Sequence, residues 1–211
     1  MKKIKTFLLI IFAAIFFLSG CTKAQEPDTI KKLAQLTGKN ILTVYLSRTN
    51  NTKAVAEIVQ SFAGGKLSAL EVENPYPEDY DSTVQQVTRE NETSYLPPLK
   101  TKIDSIEIYD IIFIGFPTWG MKLPPPMKTF LTQYDLSGKT IIPFNTHAGF
   151  GKGSSFETVK ELCKDSEILE GYSTEGGSER DGELFVIEGE KRVETQTEIQ
   201  KWLRRIKLIE D

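Results

Sequence analysis

From residue 41 onward, short apolar runs alternate along the chain with segments in which apolar residues recur every three or four positions. The apolar runs are typical of buried strands, and they lie at 41–47, 66–72, 109–116, 139–145 and 168–172. The run 109–116 is continuous, which is typical of a central strand covered on both faces. Strands that alternate with helices predict an α/β domain in which helices cover both faces of a doubly wound parallel sheet of five strands.

Helical spacing of apolar residues marks the segments between these strands. The first of them carries Val55, Ile58 and Val59 on one side. This first helix is predicted to cover 53–62, and further helices are predicted at 81–90, 125–134 and 155–164. A last helix places four apolar residues on one face, namely Ile199, Trp202, Leu203 and Ile206.

Two sequence patterns suggest where the last two helices begin. Ser154 with Glu157, and Thr195 with Glu198, have the spacing of a capping box. The stretch 173–193 fits no single element. Its glycine-containing pairs at 176–177 and 181–182 predict turns, and residues 184–187 predict a short extra strand.

The first 21 residues have the pattern of a secretory signal. Three lysines precede an apolar run of 12 residues at 7–18. That run is shorter than the roughly 20 residues of a membrane-spanning helix and suits a signal peptide. It ends in Leu-Ser-Gly-Cys21, which resembles a bacterial lipobox. The resemblance implies cleavage before Cys21 and a diacylglycerol on its thiol, so that the chain is anchored to the outer face of the cell membrane.

This interpretation divides the chain into a signal peptide at 1–20, a lipidated tether at 21–39 and a folded domain at 40–211. The tether is mostly polar, with a short helix predicted near 30–36. An uncleaved N-terminal anchor is the alternative. Lipidation of Cys21 would leave Cys163 as a lone thiol, which excludes an intrachain disulfide.

Composition narrows the function further. Hydrophobic residues make up 39% and charged residues 26% of the chain, which is an ordinary globular balance. The net charge of −3 argues against nucleic acid as a partner, because phosphate backbones are bound by basic patches. A single histidine and a lone free thiol cannot form a structural zinc site, so we expect no metal.

In an open parallel sheet, ligands bind beyond the carboxyl ends of the strands at the switch point. The loop after the first strand is rich in hydroxyls and amides and precedes a helix, which suits a phosphate at the free N–H groups of the helix. Such residues are also ordinary helix caps, so this alternative stays open. The candidate phosphate-binding residues are Ser47, Arg48, Thr49, Asn50, Asn51 and Thr52.

Two further loops are candidates for holding a planar ring. The loop after the third strand has an aromatic side chain that either stacks on a ligand or closes the edge of the core. Its candidate residues are Pro117, Thr118, Trp119, Gly120 and Met121. The glycines of the loop after the fourth strand allow close approach of a ligand to the backbone. Its candidate residues are Asn145, Thr146, His147, Gly149, Phe150 and Gly151.

Together the three loops resemble those of the flavodoxin family, over about residues 40–207. The resemblance implies FMN as the cofactor and a strand order 2-1-3-4-5, an arrangement of which flavodoxin itself is a standard example. It implies a phosphate on the first loop and the flavin ring between Trp119 and the His147–Phe150 loop. Asn50 departs from the family pattern, where glycine is usual, but asparagine tolerates a positive φ better than most residues.

The resemblance also implies a function, which is electron transfer to and from redox partner proteins whose identity the sequence does not give. No catalytic acid or base is required, and His147 is expected to tune the flavin potential near pH 6–7. An NAD(P)H-dependent quinone or flavin reductase on the same fold is one alternative, and it would need a second planar-ligand site above the flavin. A binding module without a cofactor is another.

Overall fold

The computed structural model describes residues 38–210, and these residues form one parallel sheet flanked by helices. The predictions for the signal peptide, the tether and the helix near 30–36 lie outside the described residues. Four strands make up most of the sheet, and each is parallel to its neighbours. They are β1 (Ile41–Tyr45), β2 (Lys66–Ala69), β3 (Ile111–Pro117) and β4 (Thr140–His147). The sheet order is 2-1-3-4-5, so the predicted fold is confirmed.

The fifth position of the sheet is filled by two short segments rather than by the one strand predicted at 168–172. These are β5 (Glu167–Ile168) and β6 (Tyr172–Glu175), and both pair with β4 in parallel. Between them the chain has one residue more than the facing part of β4, as in a β-bulge. The facing part of β4 contains Pro143, which has no N–H to donate to a neighbouring strand.

Five α-helices connect and cover the strands. They are α1 (Asn51–Ala63), α2 (Tyr80–Thr93), α3 (Pro125–Gln133), α4 (Ser155–Leu162) and α5 (Gly189–Arg205). Two short 3₁₀-helices lie at Ile106–Ile108 and Glu179–Asp181. No helix among residues 38–210 has the length and apolar character needed to cross a membrane.

Two hydrophobic cores lie on opposite faces of the sheet. Side chains of β3 alternate between them, with Phe113 in the core under α1 and α5 and Ile112 in the core under α3 and α4. Because both faces are covered, β3 is apolar along its length and almost wholly buried, as its sequence predicted. Trp202 of α5 is the largest side chain in the first core, where it packs between Phe113 and Tyr172.

Three local predictions are wrong. The last helix begins at Gly189 rather than near Thr195, which lies buried inside it and whose hydroxyl has no hydrogen-bond partner. Ser154 precedes α4, but its side chain makes no capping bond and its Oγ donates to the carbonyl of Met121 at 3.3 Å. Residues 184–187 form no strand, and the side chain of Asn51 on α1 binds their backbone instead.

Cys163 ends α4 and is the one cysteine among residues 38–210. Its side chain is buried in the second core. Burial disfavours the thiolate and raises the pKa of the Cys163 thiol to about 11. A thiol of this kind is protonated at neutral pH and unreactive.

Candidate functional site

The carboxyl edge of the sheet opens on a cavity of about 510 Å³. That volume lies within the range of small-molecule and cofactor sites. All three loops that the sequence singled out line this cavity, because parallel strands place their carboxyl ends at the same edge. The structure therefore brings most of the predicted site residues together.

The loop after β1 reaches the cavity through Arg48, Thr49, Asn51 and Thr52. Asn50 precedes α1 with a φ of +64°, the left-handed conformation that its place in the loop predicted. The first turn of α1 contains no acidic residue, so its unpaired N–H groups remain suited to an anion. Ser47 and Asn50 do not line this cavity; the Ser47 hydroxyl accepts a hydrogen bond from the N–H of Lys53 at 3.3 Å.

Arg48 joins this loop to two distant segments. Its Nε lies 2.8 Å from both carboxylate oxygens of Glu179, and its Nη1 donates to the carbonyl of Pro77 at 2.8 Å. Nη2 donates to the carbonyl of Glu78. The two side chains of the ion pair are only 19% and 20% exposed. Arg48 therefore fixes the loop in place, and its charge is already balanced by Glu179.

Asn51 binds the segment that follows the second 3₁₀-helix. Its Nδ2 donates to the carbonyl of Leu184 at 2.7 Å, and its Oδ1 accepts from the N–H groups of Val186 and Ile187 at 3.0 and 3.3 Å. These bonds provide hydrogen-bond partners for backbone groups of residues 184–187, where an extra strand was predicted. The Asn51 amide is thus occupied by protein groups, and Thr52 is likewise bonded through its hydroxyl to Thr146 at 2.8 Å.

The loop after β3 forms a tight turn at the cavity wall. Trp119 and Lys122 exchange backbone hydrogen bonds of 3.2 and 3.0 Å around Gly120 and Met121. Both central residues have a positive φ, of +55° and +62°, as in a type I′ turn. Pro117, Thr118 and the four turn residues all line the cavity.

This turn is locked to the end of the loop after β4. The N–H of Ser154 donates to the carbonyl of Met121 at 3.0 Å. Gly153 passes so close that a Cβ on it would lie 2.1 Å from that oxygen. Any side chain at position 153 would therefore push the two loops apart.

Trp119 both lines the cavity and packs at the edge of the second core. Trp119 therefore closes the edge of the core, as one of the two alternatives had it, and stacking on a ligand stays a prediction. Its ring makes an edge-to-face contact with Tyr76 at a centroid distance of 5.1 Å. The Tyr76 hydroxyl in turn donates to the buried carboxylate of Glu90 on α2.

The loop after β4 contributes Thr146, His147, Phe150 and Gly151 to the cavity. Gly149 does not line it. Asn145 is fully buried and does not line it either; its amide donates to the Thr118 hydroxyl, and its Oδ1 accepts from Ser173 at 2.6 Å. Asn145 therefore connects the loops rather than facing a ligand.

Two walls of the cavity were missed from the sequence. One is a face of α2, made of side chains at three- and four-residue spacing, from Tyr80 through Val84, Val87 and Asn91 to Glu92. The other is the segment Gly176–Arg180, part of the stretch to which no element was assigned. The three- and four-residue spacing of Val84, Val87 and Asn91 could have indicated a contact face on this helix. The helix as a whole is mostly polar, however, and a mostly polar helix usually faces solvent.

His147 has an environment that opposes its protonation. Burial lowers the pKa of His147 below its usual value, and the nearby carboxylate of Glu175 offsets only part of this effect. Its Nδ1 is buried and has no hydrogen-bond partner among the described residues. The imidazole is therefore neutral at pH 7, and any influence of its charge on a bound ligand falls at lower pH than the sequence predicted.

We expect the unfolding free energy to fall, relative to a His147→Gln variant, as the pH drops from about 7.5 to about 5. The unfolded chain binds a proton at His147 near its usual pKa, whereas the folded chain resists it because the folded pKa is lowered. Stability is thus lost as pH falls below the unfolded pKa. Urea unfolding of both proteins at each pH measures this difference, and parallel curves would contradict it.

The cavity carries no feature of a metal site. Within the described part of the chain, no group of three or more histidine, cysteine, aspartate or glutamate side chains is placed to hold a metal ion. What the cavity offers is a helix start free of acidic residues at one end and a mixed aromatic and polar wall further along. This combination fits a planar ring that carries a phosphate.

Comparison with known proteins agrees with this fit. Residues 40–185 match the model of a protein family described as flavodoxin. No curated protein matches the chain.

Among solved structures, a candidate flavoprotein from Bacteroides eggerthii is 28% identical, with a TM-score of 0.64 over 79% of this chain and 97% of its own. A second, from Bacteroides uniformis, is 26% identical, with a TM-score of 0.61 over 68% of this chain and 95% of its own. A flavoprotein from Lactobacillus acidophilus, solved in complex with FMN, is 24% identical and shares the fold, with a TM-score of 0.55 over 64% of this chain and 93% of its own. With its sheet order, its three converging loops and the family match over most of its length, the chain belongs to the flavodoxin family.

Proposed function

We propose that this chain binds one FMN in the cavity at the carboxyl edge of the sheet and serves as an electron-transfer protein. The observation that carries the proposal is the convergence of the loops after β1, β3 and β4 on one cavity of about 510 Å³. Membership of the flavodoxin family supports the same ligand.

The phosphate would lie at the start of α1. Its donors there are the unpaired N–H groups of the first helical turn and the hydroxyl of Thr49, which accepts from the Asn51 amide at 3.0 Å and keeps its own proton free. Arg48 still has one unbonded N–H on each Nη atom. Because Glu179 already balances its charge, we assign most of the phosphate binding to the backbone.

The ring would lie between Trp119 and the loop that carries His147 and Phe150. When bound, FMN supplies the capacity to accept and release electrons. The residues of the chain then hold the ring and limit water around it. Phe150 lines the cavity and is 66% exposed, so it lies at the cavity mouth, where the Arg180 guanidinium is 6.0 Å from its ring centroid.

A titration of the purified protein with FMN tests this proposal. We expect one equivalent of FMN to bind, with quenching of the flavin fluorescence and a shift of its visible absorbance. A folded protein that leaves the fluorescence of excess FMN unchanged would show that the cavity serves another ligand. That result would favour the cofactor-free binding module.

We also propose that Cys21 carries a lipid that anchors the protein to the outer face of a bacterial membrane. The support is the lysine-rich start, the short apolar run and the Leu-Ser-Gly-Cys21 ending. Fatty-acid labelling of cells that express the full chain should mark the protein, and Cys21→Ala should abolish the label. Cys163→Ala is the matched control, because its buried thiol is not exposed to a lipid donor. Label that survives Cys21→Ala would refute the anchor.

A further inference from the structure

A second recess adjoins the cavity at the end formed by the loop after β1. It has a volume of about 510 Å³ and is lined on its own side by Asn50, Tyr76, Glu78, Leu184 and Phe185. Arg48, Thr49 and Glu179 line both the cavity and this outer recess. Because shared lining residues lie between two recesses, the ion pair of Arg48 and Glu179 forms a wall between them, which we call the partition.

The partition joins three segments of the chain. Nε of Arg48 lies 2.8 Å from both carboxylate oxygens of Glu179, while Nη1 and Nη2 donate to the carbonyls of Pro77 and Glu78. The two ion-paired side chains are largely buried, so water and salt screen their attraction little. The protein itself therefore fixes the partition, which needs no ligand to form.

The segment that carries Glu179 is held on both sides of this residue. The N–H of Gly176 donates to the carbonyl of His147 at 2.8 Å, and the Asn51 amide donates to the carbonyl of Leu184 at 2.7 Å. A Cβ on Gly177 would lie 2.1 Å from the carbonyl oxygen of Glu183, so the segment also folds closely on itself. Glu179 thus projects from a fixed backbone, and its carboxylate has little freedom to leave Arg48.

The outer recess suits a nucleoside better than a phosphate. Leu184 is 53% exposed and Phe185 38% exposed, so apolar and aromatic surface is open to a base. The carboxylate of Glu78 can accept hydrogen bonds from ribose hydroxyls. The charged side chains that line the recess are two carboxylates and one guanidinium, and this balance opposes a further phosphate.

We propose that the partition restricts the cavity to a flavin that ends in a single phosphate, which makes Glu179 a specificity-determining residue. This inference rests on the proposed function, because it concerns the ligand of that same cavity. Flavin adenine dinucleotide (FAD) continues from the first phosphate through a second one to an adenosine. The partition lies across this continuation, and behind it lies the recess that an adenosine would fit.

The test compares the dissociation constants of FMN and FAD for the full chain and its variants. We expect the parent protein to prefer FMN. Glu179→Ala opens the partition, so it should raise the affinity for FAD relative to FMN by about fivefold or more, the lower end for stacking of a base on an aromatic side chain. Phe185→Ala should remove this gain in the Glu179→Ala background. Alone it should leave FMN binding unchanged, because Phe185 lines only the outer recess.

Two further variants separate closure from charge and from general effects. Glu179→Gln keeps the volume of the side chain and removes its charge, so it should tighten both anionic flavins alike and change their ratio little. Glu183→Ala is the matched control, since Glu183 is an exposed acid of the same segment that lines neither recess. It should change neither affinity.

The inference is overturned if the parent protein binds FAD as tightly as FMN, or if Glu179→Ala shifts both affinities equally. It is also overturned if Glu179→Gln raises the ratio as much as Glu179→Ala, since charge rather than closure would then set the preference. A parent protein that binds neither flavin refutes the FMN site and this inference together. One that binds FMN, with a ratio that Glu179→Ala leaves unchanged, refutes the partition alone.

Discussion

Replacing Trp119 with alanine is expected to weaken FMN binding by roughly 5- to 150-fold, because stacking on an aromatic side chain contributes about 1–3 kcal/mol per ring. Trp119 lines the cavity and is held by the Trp119–Lys122 turn and by Tyr76. Its ring is therefore oriented before a ligand arrives, and little entropy is lost on stacking. The dissociation constant of FMN, from fluorescence quenching, measures the effect.

Two further variants separate stacking from a general loss of structure. Trp119→Phe keeps a flat ring and should recover most of the affinity. Tyr95→Ala removes an exposed aromatic side chain that does not line the cavity, so it should leave FMN binding unchanged. If Trp119→Ala binds FMN as tightly as the parent protein, the ring does not stack at Trp119.

Replacing Trp202 with alanine should lower the unfolding free energy by about 3–5 kcal/mol. The Trp202 ring is almost fully buried and lies 5.4 Å from Tyr172 and 6.1 Å from Phe113, measured between ring centroids. Its Nε1 also donates to the carbonyl of Glu170 at 2.8 Å, in the bulge between β5 and β6. The substitution therefore leaves a cavity in the core and removes a bond that holds the interrupted edge of the sheet.

Urea unfolding followed by circular dichroism gives this free energy. Trp202→Phe should lose less than Trp202→Ala, because it fills most of the volume and lacks only the hydrogen bond. Val193→Ala, at an exposed position of the same helix, should change stability little. A loss from Trp202→Ala no greater than that of Val193→Ala would mean that α5 contributes little to the core.

The sequence predicted the parts of the fold that rest on local patterns. The continuous apolar run of β3 and the spaced apolar face of α5 each report burial directly, because burial selects the side chains at those positions. The location of the candidate site, in the loops at the carboxyl edge of the sheet, followed from the parallel topology alone. For the same reason the loop after β1, Trp119 and His147 were predicted to lie near one another, and four residues of that loop line one cavity with Trp119 and His147.

The parts that were missed depend on contacts between distant segments. Arg48 and Glu179 are 131 positions apart, and nothing in either neighbourhood indicates that they pair. The bulge at the sheet edge lies opposite Pro143 on the adjacent strand, and the apolar pattern of the fifth strand did not indicate it. Charged residues at the start of α5, such as Glu190 and Lys191, have no apolar periodicity, so Thr195 was mistaken for its cap.

The state of Cys163 bears on how the proposed electron uptake can be measured. A buried thiol with a raised pKa neither exchanges with small disulfides nor pairs with a second chain while the domain stays folded. Coulometric reduction of the folded domain can therefore be run without a blocking reagent. Every electron counted in such an experiment would reside on a bound group, since residues 38–210 contain no dithiol couple to share it.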